Sequence, residues 1–220
     1  MLMWQRRRVI GKLRDAVWVL APLGLTLLMG TVVHTLANYK MVTVMGDSMR
    51  PTYSEGDRLF TERIGASEIR RGDVLLIEAP EHYQGEPMLR RVIGTGGDHV
   101  AGDGNQVTVN GEPVDEPYVR HREEPLMVRP YDVKVPDGRL FLLGDYRVNS
   151  NDSRFHLSEK SGSIAASGVQ GRILKDSAVP TVLVALGSLG TVLILAGIGG
   201  YAAGRRARGP LSSRTPWPMP

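Results

Sequence analysis

Ser48 stands in the run Met45-Gly46-Asp47-Ser48-Met49-Arg50-Pro51-Thr52-Tyr53-Ser54-Glu55-Gly56-Asp57, with Gly46 and Pro51 stiffening the bends on either side. A serine hydroxyl becomes a nucleophile only when a base takes its proton and amide donors receive the oxyanion that forms. The Ser48 amide is one candidate donor. Taken alone, an Asp-Ser pair is better explained by a serine capping a turn. Other chemistries are narrowed by composition. The chain has no cysteine, so it holds no disulfide, thiolate nucleophile or thiolate metal site. Its histidines, His34, His82, His99, His121 and His156, lack the close spacings of zinc ligands.

Three more polar runs follow Ser48: Arg71-Gly72-Asp73-Val74, then Arg91-Val92-Ile93-Gly94 with Gly97-Asp98, then Gly144-Asp145-Tyr146-Arg147 with Asn149-Ser150 and Asp152-Ser153-Arg154. Together with the Ser48 run, and in this order, they resemble the boxes of type I signal peptidases. Each run alone is a weak signal, whereas four in family order make chance a poor explanation. The resemblance implies a bacterial, membrane-anchored serine/lysine endopeptidase that removes N-terminal signal peptides from exported precursors through an ester on Ser48. It implies no cofactor and no metal. The implied partners are precursor proteins with signal peptides, the lipid bilayer, and Sec or Tat export machinery. Met49 would line the substrate cleft beside Ser48, and an exposed apolar edge there could dip into lipid. In some relatives a hydroxyl side chain two residues before the nucleophile completes the oxyanion hole. Gly46 fills that position here, which leaves backbone or water as donors.

Arg90 is the departure from the pattern. Relatives carry a lysine immediately before the Arg-Val-Ile-Gly run, its neutral amine acting as general base, and this chain reads Leu89-Arg90-Arg91. A guanidinium has a pKa above about 12 and cannot take the lysine's part. Three readings remain open. Another group supplies the base, from Lys40, Lys134, Lys160, Lys175, His82, His99 or His121. The scaffold instead binds signal peptides or a partner without cutting. Or a parental lysine has been replaced by Arg90. By resemblance, Ser150 would hydrogen-bond the base, while Asp145, Arg147, Asp152 and Arg154 would brace the site, with Asp152 and Arg154 paired at its floor. The plainer reading of residues 144–154 is a polar turn closing a hairpin. Gly72-Asp73 and Gly96-Gly97-Asp98 are turn chemistry between strands.

The elements that would hold these residues can be read from charge and hydropathy. Residues 1–37 and 204–220 carry nine Lys/Arg against one acid, and residues 38–203 carry 18 against 22. The basic balance belongs to the tails, which argues against nucleic-acid binding by the folded part. Residues 16–37 and 177–204 hold no Lys, Arg, Asp or Glu and are long enough to cross a bilayer. Basic residues flank both runs on their terminal sides, so the positive-inside rule places both termini in the cytoplasm. The expected plan is a cytoplasmic N-terminus (1–15), a transmembrane helix (16–37), an extracytoplasmic domain (38–176), a second transmembrane helix (177–204) and a cytoplasmic tail (205–220).

Between the anchors the pattern is mainly β, an antiparallel signal-peptidase-like domain of many short strands. Strands are expected over 41–45, 58–63, 74–79, 89–93, 106–109, 133–135, 140–143 and 169–174. Asn110-Gly111 marks a type I′ hairpin turn. Residues 116–131 read as a loop or irregular insert, and residues 158–168 as a mobile connector.

Overall fold

The structure is a computed structural model that describes residues 2–80, 85–104, 106–119, 129–175 and 178–206. The chain divides into two compact units, one of residues 38–175 and one formed by the two terminal segments.

In the terminal unit, helix α1 runs Leu2–Asn38 and helix α2 runs Ala178–Arg206. Val17–Asn38 (22 residues) and Ala178–Arg206 (29 residues) are apolar enough to cross a membrane, and at about 1.5 Å per residue both are long enough. Backbone contact holds the pair together: a side chain at Gly24 or Gly190 would strike the facing helix, and Gly197 faces Val17 and Ala21. The hydroxyls of Thr31, Thr35, Ser188 and Thr191 each bond a carbonyl four residues earlier, which satisfies them without water.

The central unit is antiparallel β. Its strands are β1 Tyr39–Thr43, β2 Arg58–Glu62, β3 Val74–Ile77, β4 Met88–Thr95, β5 His99–Gly102, β6 Val107–Val109, β7 Glu112–Pro113, β8 Tyr131–Lys134, β9 Arg139–Leu143, β10 Ile164–Ala165 and β11 Val169–Ile173. One sheet has the order β1-β2-β11-β3-β4-β9-β10, the other β7-β6-β5-β8. Leu75, Ile77, Val92, Leu140, Leu142 and Ile164 form one core, and Ile93, Val100, Val109, Val135, Phe141 and Leu143 another. Alternation explains the division: Leu140 and Leu142 point to one core, Phe141 and Leu143 to the other. β4, between β3 and β9, therefore has both faces covered and is almost wholly buried.

The mainly β, antiparallel architecture agrees with the sequence expectation, including the hairpin, where Asn110 and Gly111 adopt φ of 55° and 83°. Two expectations fail. Residues 158–168 are not a mobile connector: Ser163 and Ile164 are buried, Ile164–Ala165 pairs with β9, and Arg139 Nε donates to Ser163 Oγ at 2.9 Å. Small polar residues read as loose because their anchoring comes from a distant arginine. The insert over 116–131 is also more ordered than expected at its ends, since Tyr131 opens β8 and Glu116 is tied to Arg147. Residues 120–128 of that insert, with His121, lie outside the described residues, as does His82.

Candidate active site

The Ser48 loop joins β1 to β2 and is closed at its base by Val44 N–H to the Asp57 carbonyl and Gly56 N–H to the Val44 carbonyl, each 2.9 Å. Within it, Arg50 N–H donates to the Asp47 carbonyl and Tyr53 N–H to the Met49 carbonyl, which makes a tight double turn around Ser48. Met49 drops from this turn into a third core with Val44, Val74, Leu89 and Ile173. It is 1% exposed, so it cannot form the exposed apolar edge suggested by the sequence. Apolar side chains that are exposed nearby are Met45, Met41 and Phe60, the last two opposite each other on β1 and β2.

Residue 90 reaches Ser48 from β4. Arg90 Nη1 donates to Ser48 Oγ at 2.8 Å and to the Leu89 carbonyl at 2.6 Å, while Nη2 donates to the Asn151 carbonyl at 2.7 Å and Nε to the same oxygen at 3.3 Å. Arg90 is 5% exposed, and the plane of its guanidinium is fixed by these bonds. As a donor to Ser48 it can stabilise negative charge there, but it cannot receive the hydroxyl proton.

Ser150 is buried beside this arrangement, and its Oγ has no hydrogen-bond partner among the described residues. The bond to residue 90 expected from the family pattern is therefore absent. A lysine amine is a compact point donor, whereas the guanidinium fork grips the next carbonyl along, that of Asn151. Gly144 explains how closely the loops pack: a Cβ there would collide with Ser150 and sit 2.7 Å from the Ser48 carbonyl. That carbonyl accepts from Tyr146 N–H at 2.9 Å, which joins the Ser48 loop to the end of β9.

Of the bracing residues, Asp145 and Arg147 take partners that the sequence left undetermined. Arg91, next to Arg90 but on the opposite face of β4, makes a forked ion pair with Asp145, with Nε to Oδ1 at 2.8 Å. Thr52 Oγ1 donates to the same carboxylate, and the Tyr118 ring lies 3.8 Å from the Arg91 guanidinium carbon. Burial acts to lower the Arg91 pKa, but the Asp145 bonds outweigh it and raise it. Arg147 bonds Glu116, with Nη1 to Oε2 at 3.0 Å, and its pKa is raised against burial in the same way. Asp152 and Arg154 form a buried two-bond pair at 2.7 and 2.8 Å, and Asp152 also accepts from Gly144 N–H. Glu116, Tyr118, Thr52 and Asn151 were missed as members of this network. Thr52 carried a signal as part of the Ser48 run and Asn151 as part of residues 144–154, whereas Glu116 and Tyr118 carried none.

A groove of about 580 Å³ runs along Ser48 and Arg90, walled mainly by Val42, Val44, Met45, Met49, Leu76 and Leu89. No group of three His, Asp or Glu side chains able to hold a metal ion occurs among the described residues. Two of the alternative bases lie apart on the second sheet: His99 pairs with Asp132, and Lys134 stands opposite His99 in register.

Ser48 and Arg90 thus stand together at the wall of an apolar groove on an antiparallel β domain. Residues 16–175 match the family model described as "Signal peptidase, peptidase S26", and the chain belongs to that family. It is 37% identical to signal peptidase I S of Bacillus subtilis (strain 168) over 124 residues, covering 50% of this chain and 64% of that protein. Signal peptidase I T of the same organism is 38% identical over 125 residues (50% and 61%). Signal peptidase I U is 30% identical over 127 residues (54% and 67%). The chain thus spans 61–67% of the length of these relatives. A crystal structure of a signal peptidase I from Enterococcus faecalis V583 is 23% identical, with a TM-score of 0.41, covering 49% of this chain and 97% of that one. Two helices of spanning length in a member of this family mark a membrane protein.

Proposed function

We propose that this chain is a serine endopeptidase of the signal peptidase I type, removing signal peptides from exported precursors with Ser48 as nucleophile. The observation that carries the reading is the 2.8 Å contact between Arg90 and the Ser48 hydroxyl at the wall of an apolar groove. An extended precursor adds its backbone to the groove as a strand, and small side chains before the cut fit the apolar lining.

Arg90 changes how the serine is activated. Because the guanidinium stays protonated, the Ser48 proton passes to solvent hydroxide and yields water, while Arg90 stabilises the alkoxide through a charge-assisted bond. The alkoxide adds to the scissile carbonyl, and the Ser48 amide receives the oxyanion. As the carbon–nitrogen bond breaks, water protonates the departing amine and hydroxide is regenerated. A second water hydrolyses the ester and frees the peptide acid. The rate therefore rises with pH instead of levelling at the pKa of a base.

Residues 16–37 and 177–204 serve as anchors, with both termini in the cytoplasm and residues 38–176 outside. Sharing a bilayer with the precursor raises the effective concentration, so weak local contacts suffice. The test is to incubate the purified chain, in lipid vesicles, with a secretory precursor and follow the mature N-terminus. Cleavage that accelerates with pH and disappears in Ser48→Ala is expected. No cleavage by the wild type from neutral to alkaline pH would sink the reading.

A further inference from the structure

We infer that Glu86 is a specificity residue of the groove, favouring peptides that carry a lysine or arginine at the fourth or fifth residue before the cut. The inference rests on the peptidase reading for the direction of the bound peptide, but its test does not require cleavage.

The strand topology places Glu86. β1 is the end strand of its sheet, so one of its edges is unpaired among the described residues. Residues 88–90 of β4 pair with β3, whereas β9 takes up its pairing with β4 only from Arg91, which leaves a second open edge. β1 and β4 are linked through β2, β11 and β3 by antiparallel steps alone, an even number of them, and therefore run in the same direction. Both line the groove, one wall leading from Val42 to Ser48 and the other from Glu86 to Arg90. An extended peptide whose residues before the cut occupy the groove thus runs back from Ser48 toward Glu86. Pro87 favours extended backbone at Glu86, which stands four residues before Arg90, roughly 13 Å at a strand's rise. A peptide in the same conformation covers that distance in as many residues, so its fourth or fifth residue before the cut lies beside Glu86.

The charge at that end has little competition. Glu86 is exposed, and no ion pair holds it among the described residues. Arg90 is the other charged residue of the lining, but it spends its donors on Ser48 Oγ and on the Leu89 and Asn151 carbonyls. At roughly 13 Å it also lies beyond a Debye length at physiological salt. A peptide therefore meets the Glu86 carboxylate as the local charge, against walls that are mainly Val, Met and Leu. Lysine and arginine suit such a place, because their methylene stems lie along apolar surface while the charged head reaches out to a partner. An acid at the same peptide position is repelled by the like charge.

The experiment uses the full chain carrying Ser48→Ala, in detergent micelles, so that bound peptide stays whole. The probes are fluorescent peptides spanning a precursor cleavage site, identical except for Lys, Gln or Glu at the fourth or fifth residue before the cut. Lysine at one of these positions is expected to bind about threefold more tightly than glutamine, the size of one exposed ion pair, and glutamate about threefold more weakly. The same exchange at the second residue after the cut should make no difference. Adding Glu86→Gln should make all three peptides bind alike, and 1 M salt, where the Debye length is about 3 Å, should nearly do so. Equal binding of the lysine and glutamine peptides overturns the inference without the second variant, and so does a preference that survives Glu86→Gln or appears equally after the cut. Failure of every peptide to bind overturns it as well. The outcome is separable from that of the peptidase reading: a chain that prefers lysine there but, with Ser48 restored, cuts no precursor keeps this residue's role and loses the activity. A chain that cuts but ignores charge at these positions does the reverse.

Discussion

Arg90 and Arg91 are neighbours on one strand and are nearly equally buried, yet they serve opposite sides of the molecule. Arg91 faces the loop after β9, where Asp145 receives two of its donors and Thr52 and Tyr118 close around the pair. Arg90 faces the groove and gives its donors to the Ser48 hydroxyl and to main-chain carbonyls. The first arrangement fixes a loop, because a forked ion pair tolerates little displacement. The second puts a fixed positive charge beside the Ser48 hydroxyl. The difference teaches that position along a strand does not decide the job of a buried arginine. The face it occupies does.

The comparison breaks most visibly on the structural side. Arg91→Leu leaves Asp145 buried and uncompensated, and should cost about 3–5 kcal/mol in chemical denaturation. A loss under 1 kcal/mol would mean that the pair is less buried than described. On the groove side, Arg90→Lys supplies a deprotonatable amine beside Ser48. Precursor cleavage is expected to rise about a hundredfold near neutral pH, with the pH profile changing from a continuous climb to a plateau. Equal rates and equal profiles would place the base elsewhere.

Gly144→Ala tests how tightly the two faces are joined. The added methyl would press on the Ser48 carbonyl and the Ser150 side chain, and we expect a loss of about 1–3 kcal/mol in stability together with slower cleavage. Unchanged cleavage would show that the Ser48 loop is insensitive to its neighbour. The smallest effect concerns a carboxylate away from both arginines. Burial pushes the Asp98 carboxyl up, but bonds from Arg71, Thr95 and Asn110 outweigh it and hold its pKa at about 2. The folded value lies below the ordinary one, so this stabilisation is present above about pH 4 and disappears as pH falls toward 2. Asp98→Asn should cost about 1–2 kcal/mol at neutral pH and much less near pH 2, by urea melts at each pH. A cost that does not change with pH would assign the effect to packing.

The β architecture was legible because short Val/Leu/Ile-rich runs between Gly, Pro, Asp or Asn turns encode strands locally. The missed strands were those without that signal: β5 reads His-Val-Ala-Gly, and β10 has only two residues. In the site, the 42-residue step from Ser48 to Arg90 was legible only through resemblance, since no periodicity links them. Glu116 gave no sign of its bond to Arg147, 31 residues later, because an isolated acid in a charged stretch looks solvated. The contact expected between Ser150 and residue 90 failed on shape, the planar fork of arginine preferring the Asn151 carbonyl.

The bond from Tyr146 N–H to the Ser48 carbonyl ties together stretches nearly a hundred residues apart in the chain. It works like a drawstring: the serine's posture depends on the later stretch as well as on the bonds within its own loop. A break in the backbone of residues 145–154 would thus be felt at Ser48 without any contact to its hydroxyl.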